Sequence, residues 1–212
     1  MKLTKRLKTI CDLVDKGTTV IDVGCDHAHV DIFLTLNNLN NCIALDVNKN
    51  ALNSAINNIK KYQLEDKIKT VINDGLKDLE IPKNNTIIIC GMGTHTILNI
   101  LKNCDYKKID NLIIQSNNDL YLLRKSINKL GFYIEEDIKL KDKNIYYTII
   151  KFKKGHKKYN KYEYLYGINL NNKDYIKYEI DRNNNILSKI PNKMILKKIS
   201  LKRNNKYLKR FI

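Results

Sequence analysis

The chain has 212 residues, a formal net charge of +17 and five cysteines. No apolar run approaches the roughly 18 residues that a membrane span needs, and the amino terminus shows no small-residue cleavage site. The cysteines are scattered singly and odd in number, a pattern that suits neither a disulfide framework nor a zinc site. We therefore expect an unexported, cytoplasmic protein with no membrane partner and no metal.

The basic charge is concentrated towards the carboxyl terminus. From Lys154 onwards, 16 lysines and arginines stand against four acids. A bias towards AT-rich codons explains some of the lysine but not this uneven distribution. A segment this basic is attracted to polyanions such as nucleic acid. The alternative is a solvated helix pair whose charge has no specific partner.

Hydrophobic periodicity predicts strands alternating with helices over the first 153 residues. The predicted elements are helix 3–15, strand 19–23, helix 32–36, strand 42–46, helix 51–62, strand 68–72, strand 86–90, helix 97–101, strand 112–115, helix 120–130, and strands 132–140 and 145–152 with a hairpin turn at 141–144. This order is typical of a doubly wound α/β sheet with an antiparallel edge strand.

A charged segment, KKGHKK at residues 153–158, separates this part from a tail without strand signals. Two apolar stripes at helical spacing, interrupted at Pro191, predict a C-terminal α-helical hairpin with lysines on its outer faces. The stripes comprise Ile176, Ile180, Leu187 and Ile190, then Ile195, Leu196, Ile199, Leu208 and Phe211. We therefore expect two domains, residues 1–153 and residues 154–212.

The stretch TTVIDVGCDHAHV, residues 18–30, is the candidate ligand-binding turn. The first strand-to-helix turn of such a sheet lies at its carboxyl edge, where nucleotide-like ligands bind. Dinucleotide enzymes carry Gly-x-Gly-x-x-Gly here because backbone amides must approach a pyrophosphate. This chain keeps only Gly24, and the carboxylates of Asp22 and Asp26 suit an ammonium better than a phosphate. S-adenosylmethionine has that ammonium and no phosphate.

The next two strands of the predicted sheet also end on acids. Asp46 closes the second strand, where an acid accepts hydrogen bonds from ribose hydroxyls. Asp74 closes the third strand, where it can accept from the adenine amine while Gly75 leaves room for the ring. Each acid alone could be a helix cap or a turn former. Three acids ending three successive strands favour a shared ligand.

The chain resembles the bacterial tRNA (adenine(22)-N1)-methyltransferase family in several segments. These are KRLKTICDLVDKG, DVGCDHAHV, IICGMGT, LIIQSNND followed by Leu123-Arg124, KNIYYTIIKF and YEYLYGINL. The resemblance implies a Rossmann-like class I methyltransferase domain, a coiled-coil tail, S-adenosylmethionine as cofactor and tRNA as substrate. It also implies that the residues surrounding the cofactor are Gly24, Asp26, His27, Asp46, Val47, Asp74, Gly75, Gly91 and Met92.

The chain departs from the family pattern at three positions. Thr94 stands where the family usually has glycine, Ser116 where it has proline, and Tyr147 where it has glutamate. These departures concern the acceptor pocket, for which the candidate residues are Gln115 and Asn117 as hydrogen-bonding groups and Tyr146 as a stacking ring.

The N1 atom of adenine lies on the Watson–Crick edge, so the base must be unpaired or flipped before it reacts. N1 already carries a lone pair, so the reaction needs positioning, worth up to roughly 7–11 kcal/mol, and no general base. The absence of an Asn/Asp-Pro-Pro-aromatic motif after the fourth strand favours N1 over the exocyclic amine. Two alternatives remain: methylation of another RNA or another base atom, and a non-catalytic RNA-binding protein on this fold.

Basic residues outside the cofactor turn are the candidates for RNA contact, because phosphate contacts position a polyanion without reading its sequence. They are Lys5, Arg6, Lys8, Arg124, Lys157, Lys158, Lys197, Lys198, Lys202 and Arg203. We expect tRNA as the partner, no DNA, and a monomeric protein.

Overall fold

A computed structural model describes residues 1–38 and 40–212, with the backbone but not the side chain of Asn38. The chain forms two compact units, Met1–Lys158 and Tyr159–Ile212. The second unit begins five residues after the expected domain start because residues 155–158 still contact the first unit. Gly155 N donates to the Gly131 carbonyl at 2.8 Å, and Asn128 Nδ2 donates to the Lys157 carbonyl at 3.2 Å.

A seven-stranded sheet forms the centre of the first unit, in the order β3-β2-β1-β4-β5-β7-β6. The strands are β1 Thr19–Val23, β2 Cys42–Asp46, β3 Ile68–Ile72, β4 Asn85–Met92, β5 Asn111–Ser116, β6 Phe132–Asp142 and β7 Ile145–Lys154. The pairs among β1 to β5 are parallel, whereas β7 is antiparallel to both β5 and β6. The predicted doubly wound sheet is confirmed, but its antiparallel strand lies one place inside the edge because β7 pairs with β5.

Both faces of the sheet are covered. The helices are α1 Lys5–Asp12, α2 His29–Asn38, α3 Lys49–Lys61, α4 Thr94–Lys102 and α5 Leu120–Lys129, with a 3-10 turn at Tyr106–Lys108. Residues of α1, α2 and α3 pack with Ile88 of β4 and Ile113 of β5 in one core cluster. Side chains alternate along a strand, and Ile87 and Ile89 on the opposite face of β4 are fully buried too.

Three helices and a final 3-10 turn form the second unit: α6 Lys161–Tyr166, α7 Lys173–Lys189, α8 Ile195–Leu208 and the turn Lys209–Phe211. The predicted hairpin corresponds to α7 and α8, and Asn183 Nδ2 of α7 donates to Asn205 Oδ1 of α8 at 2.8 Å. Helix α6 was not predicted; a capping box between Asn160 and Glu163 begins it.

The two predicted apolar stripes of this unit are only partly buried. Ile176 and Ile180 of α7 and Leu208 of α8 lie in its core. Ile195 and Leu196 are 63% and 84% exposed, because α8 packs through its carboxyl-terminal half. None of the helices that the structure describes is both long enough and apolar enough to cross a membrane.

Candidate functional site

The turn that follows β1 adopts left-handed backbone conformations at three closely spaced residues. The φ angles are +79° at Gly24, +51° at Asp26 and +54° at Ala28. The amides of Gly24 and Cys25 both donate to the Leu45 carbonyl, at 2.8 and 2.9 Å, which ties the turn to β2. The left-handed φ angle of Gly24 favours glycine there; a Cβ atom would also lie 2.6 Å from Met92 Cε, the flexible end of a side chain that can move away.

A cavity of about 230 Å³ opens at this edge of the sheet. It brings together five of the predicted cofactor residues, namely Asp22, Gly24, Asp26, His27 and Gly91. Helix α1 adds Arg6, Leu7 and Ile10, and β4 adds Ile88 and Cys90. The cavity therefore combines an apolar wall with carboxylates and one guanidinium, as small-molecule sites generally do.

The other predicted cofactor residues lie at the same edge, outside the cavity lining. Asp46 ends β2, and its carboxylate accepts hydrogen bonds from Asp26 N at 3.3 Å and Asn48 N at 2.8 Å. Its backbone carbonyl accepts from Asn73 N at 3.1 Å. Asp46 thus joins the ends of β1 and β3, and its carboxylate has acceptor capacity left for two adjacent hydroxyls.

Gly75 packs closely against α4. A Cβ atom on Gly75 would lie 2.8 Å from Ile100 Cγ1 of α4, and its φ angle is +64°. Glycine therefore allows the end of β3 to lie close to α4. That Gly75 also leaves room for an adenine ring stays a prediction. Asp74 is exposed, as is Val47 at 70%, and Met92 contributes its carbonyl by accepting from Asn117 N at 2.9 Å.

Two interacting carboxyl groups are buried at the cavity: Asp22 lines it, and Asp31 is the neighbour of Asp22. Asp22 of β1 is 6% exposed and Asp31 of α2 is fully buried. Burial, reinforced by Asp31, raises the pKa of Asp22 well above its usual range, and burial raises the pKa of Asp31 to about 7. The two groups together therefore carry less than their full charge at neutral pH, and a cation bound beside Asp22 would favour its ionised form.

Arg6, predicted as an RNA contact, instead reaches into the cavity. Its Nη1 group donates to Gln115 Oε1 at 2.7 Å, and its guanidinium lies 5.3 Å from the centre of the Tyr147 ring. Gln115 Nε2 in turn donates to Asn117 Oδ1 at 3.0 Å, and Asn117 Nδ2 donates to the Gly91 carbonyl at 2.7 Å. A continuous chain of hydrogen bonds therefore runs from α1 through the end of β5 to the end of β4.

This chain of hydrogen bonds changes the assignment of the acceptor candidates. Gln115 is 1% exposed and holds Asn117 in place, so it is a positioning residue and does not contact a base. Asn117 is exposed and keeps one donor and one acceptor for a base edge. Tyr147, not Tyr146, lies beside Arg6, because successive strand residues point to opposite faces; the ring of Tyr146 faces Lys141 Nζ at 5.6 Å.

Arg124 is wrong as an RNA contact. Its side chain is fully buried in α5, and its Nε group pairs with Asp137 Oδ2 at 3.1 Å. Lys139 Nζ lies 2.8 Å from the other oxygen of the same carboxylate. Arg124 therefore belongs to a buried charge cluster and has no surface to offer a phosphate.

The remaining basic candidates are at the surface. Lys5, Lys8, Lys157, Lys158, Lys197, Lys202 and Arg203 are exposed, and Lys198 is half-buried, donating to Asn192 Oδ1 at 2.7 Å. Lys8 pairs with Asp12, and Lys157 lies 4.4 Å from the centre of the Tyr133 ring. No group of three or more His, Cys, Asp or Glu side chains that could hold a metal ion occurs within residues 1–38 and 40–212.

Comparison with known proteins places this geometry among methyltransferases. Residues 3–150 match the family described as Methyltransferase domain. A Mycoplasma genitalium protein provisionally named a tRNA methyltransferase is 30% identical over 72% of this chain and 70% of its own length. The Bacillus subtilis tRNA (adenine(22)-N(1))-methyltransferase is 27% identical over 71% of this chain and 64% of its own length.

A solved structure agrees with the sequence matches. The structure of M. capricolum TrmK in complex with S-adenosyl-homocysteine superposes with a TM-score of 0.85 at 29% identity. The superposition covers 100% of this chain and 98% of that one, so the likeness includes both compact units.

Proposed function

The chain belongs to the tRNA (adenine(22)-N1)-methyltransferase family of methyltransferase-domain proteins, and on that premise we propose that it methylates N1 of adenine 22 in tRNA. S-adenosylmethionine is its methyl donor, and supplies a methyl group activated by a sulfonium. The proposed site of action is the cytoplasm, which the free state of all five cysteines supports.

The observation that carries this proposal is the pairing of opposite charges in one small cavity. Arg6 brings a cation, and Asp22 and Asp26 bring carboxyl groups, within the same 230 Å³. An amino-acid tail has one carboxylate and one ammonium, so both of its charges have a partner here. A pyrophosphate would meet carboxylates and, in the turn after β1, a single glycine, which is a poor match.

The residues around the cavity can bind the adenosine part of the cofactor and position the target base. The Asp46 carboxylate keeps acceptor capacity for ribose hydroxyls, and exposed Asp74 can accept from the adenine amine. On the acceptor side Asn117 offers an amide edge to the target base, held by Gln115 and the Gly91 carbonyl. Since N1 carries a lone pair, catalysis by this chain consists of positioning.

The second unit supplies the proposed tRNA-binding surface. Its exposed cations include Lys197, Lys202 and Arg203 of α8, while the core contacts of α8 involve Leu208. Contacts to phosphates bind RNA through charge and release counterions, so the affinity depends steeply on salt. This surface positions the tRNA, and the first unit holds the cofactor and the base.

Neutralising these three cations tests the assignment. We expect Lys197→Gln/Lys202→Gln/Arg203→Gln to weaken binding of unmodified tRNA and to lower kcat/KM for its methylation. The slope of log affinity against log salt should fall by about 0.9 for each phosphate that is no longer neutralised in a duplex region, and by about 0.7 in a single strand. Filter binding between low and moderate salt measures both the affinity and its salt dependence.

A matched control separates specific contacts from net charge. Lys60, Lys61 and Lys67 are exposed in and after α3, and their replacement by glutamine removes the same charge from the first unit. We expect the control to shift tRNA affinity less than about threefold, the order of a single screened surface charge. Equal reductions in affinity in both triple variants would contradict a tRNA-binding role of α8.

A further inference from the structure

Two of the three positions at which the acceptor region departs from its family pattern, Thr94 and Ser116, touch each other. Thr94 Oγ1 and Ser116 Oγ lie 2.8 Å apart. Thr94 is fully buried and Ser116 is 7% exposed, so water cannot replace this contact. A glycine and a proline at these positions would have no hydroxyl to share.

The hydroxyl pair joins two loops at the carboxyl edge of the sheet. Thr94 begins α4, after the turn that follows β4, and Ser116 ends β5. Thr94 Oγ1 donates to the Asn118 carbonyl at 2.7 Å, and Thr94 N donates to Asn118 Oδ1 at 2.9 Å. Ser116 Oγ lies 3.3 Å from the Met92 carbonyl and 2.9 Å from the Asn118 carbonyl. Each hydroxyl has one proton, so the two groups share two donors between their mutual contact and the carbonyls of Met92 and Asn118.

Asn117 lies between Ser116 and Asn118 in the sequence and bonds to the end of β4. Its backbone amide donates to the Met92 carbonyl at 2.9 Å, and its side chain donates to the Gly91 carbonyl at 2.7 Å. Gly91 lines the cavity. The hydroxyl pair therefore holds the segment that carries Asn117 against the end of β4, which borders the cofactor site.

We propose that Thr94 and Ser116 form a hydroxyl latch that positions Asn117 for the acceptor base. The latch rests on the proposed function and adds to it two positioning residues that do not contact the substrate. If the latch is opened, the partly buried carbonyls of Asn118 and Met92 lose hydroxyl donors. The loop then relaxes, and a small displacement of Asn117 lowers the rate of methyl transfer.

Three variants of the full chain test the latch: Thr94→Val, Ser116→Ala and the double variant. We expect each single substitution to lower the single-turnover rate constant on unmodified tRNA about 3- to 10-fold, the range set by one net hydrogen bond. The double variant should be little slower than the slower single variant, because both substitutions remove the same interaction. The dissociation constant of S-adenosylmethionine should change less than about twofold, since no latch atom lines the cavity.

A second buried hydroxyl pair in the same sheet provides the control. Thr18 Oγ1 and Thr86 Oγ1 lie 3.2 Å apart at the amino edge, far from the acceptor region along β4. Thr86→Val also removes a buried hydroxyl, and should leave the rate constant unchanged. The conservative variant Thr94→Ser retains a hydroxyl and should recover most of the rate that Thr94→Val loses.

Hydrogen exchange provides a readout that needs no activity. The amides of Asn117 and Asn118 should exchange faster in Thr94→Val and Ser116→Ala than in wild type, and at the wild-type rate in Thr86→Val. Unchanged exchange, or a loss of rate in Thr86→Val equal to that in Thr94→Val, would overturn the latch. A wild-type chain that binds cofactor but methylates no tRNA would overturn the proposed function instead.

Discussion

Replacement of Arg6 by methionine is expected to lower kcat/KM for tRNA methylation by about 10- to 150-fold. A hydrogen bond to a charged group contributes about 1.5–3 kcal/mol, and each 1.4 kcal/mol is a factor of about ten. Arg6 donates to Gln115 Oε1 at 2.7 Å, stacks on Tyr147 and lines the cavity. Its replacement removes a charge from the cofactor site and frees the side chain that holds Asn117.

Calorimetry and kinetics separate the two contributions of Arg6. A weaker dissociation constant for S-adenosylmethionine reports the charge in the cavity, and a lower kcat at saturating cofactor reports the positioning of Asn117. Lys16→Met is the control, because Lys16 is exposed and precedes β1 at the opposite edge of the sheet. An Arg6→Met variant as active as Lys16→Met would show that Arg6 serves neither role.

Replacement of Asp137 by asparagine is expected to lower the free energy of unfolding by about 3–5 kcal/mol, the cost of breaking a buried ion pair. The side chains of Arg124 and Asp137 are fully buried, and that of Lys139 is 2% exposed. Asparagine keeps the shape of the carboxylate but leaves two cations facing a neutral amide. Urea unfolding at 25 °C measures the decrease.

The pH dependence of this decrease follows from Lys139. Burial already lowers the pKa of Lys139, while Asp137 opposes that shift. Without Asp137 the ammonium is more costly, so the destabilisation should be larger at pH 6 and smaller at pH 9, where Lys139 can lose its proton. Asp105→Asn, which breaks an exposed pair with Lys108, should change stability by less than about 0.5 kcal/mol. A decrease below about 1 kcal/mol in Asp137→Asn would contradict the buried-cluster account.

The strands were the most predictable part of the fold because their apolar runs are short and end on turn residues. β2 and β3 begin and end at the predicted residues, 42–46 and 68–72. The turn after β1 was also predictable, since a lone glycine among acids limits which ligand can approach. Both features are determined by residues that are adjacent in the sequence, so the local sequence is enough to predict them.

Features that depend on distant packing were not predictable in the same way. Arg6 lies 109 residues from Gln115, and only the packing of α1 across the sheet brings them together. The basic character of Arg124 suggested a surface role, but its partner Asp137 is on β6. Both arginines look like RNA contacts in a chain this basic, and only the fold assigns them to a cavity and to a core.

Contacts of small residues also depend on distant packing. The sequence does not show that Gly75 packs against Ile100 of α4. Thr94 and Ser116 each looked like an isolated departure, and their contact depends on the pairing of β4 with β5. Ile195 and Leu196 continue the helical stripe in the sequence but are exposed, because only the carboxyl-terminal half of α8 is packed.

We expect this chain to place a methyl group on N1 of adenine 22 in tRNA. Incubation of the full chain with unmodified tRNA and methyl-labelled S-adenosylmethionine, followed by nuclease digestion and mass spectrometry, locates the label. We expect 1-methyladenosine at position 22, and none on an otherwise identical tRNA with guanine at that position. Label on the exocyclic amine, at another nucleotide, or on no nucleotide would contradict it.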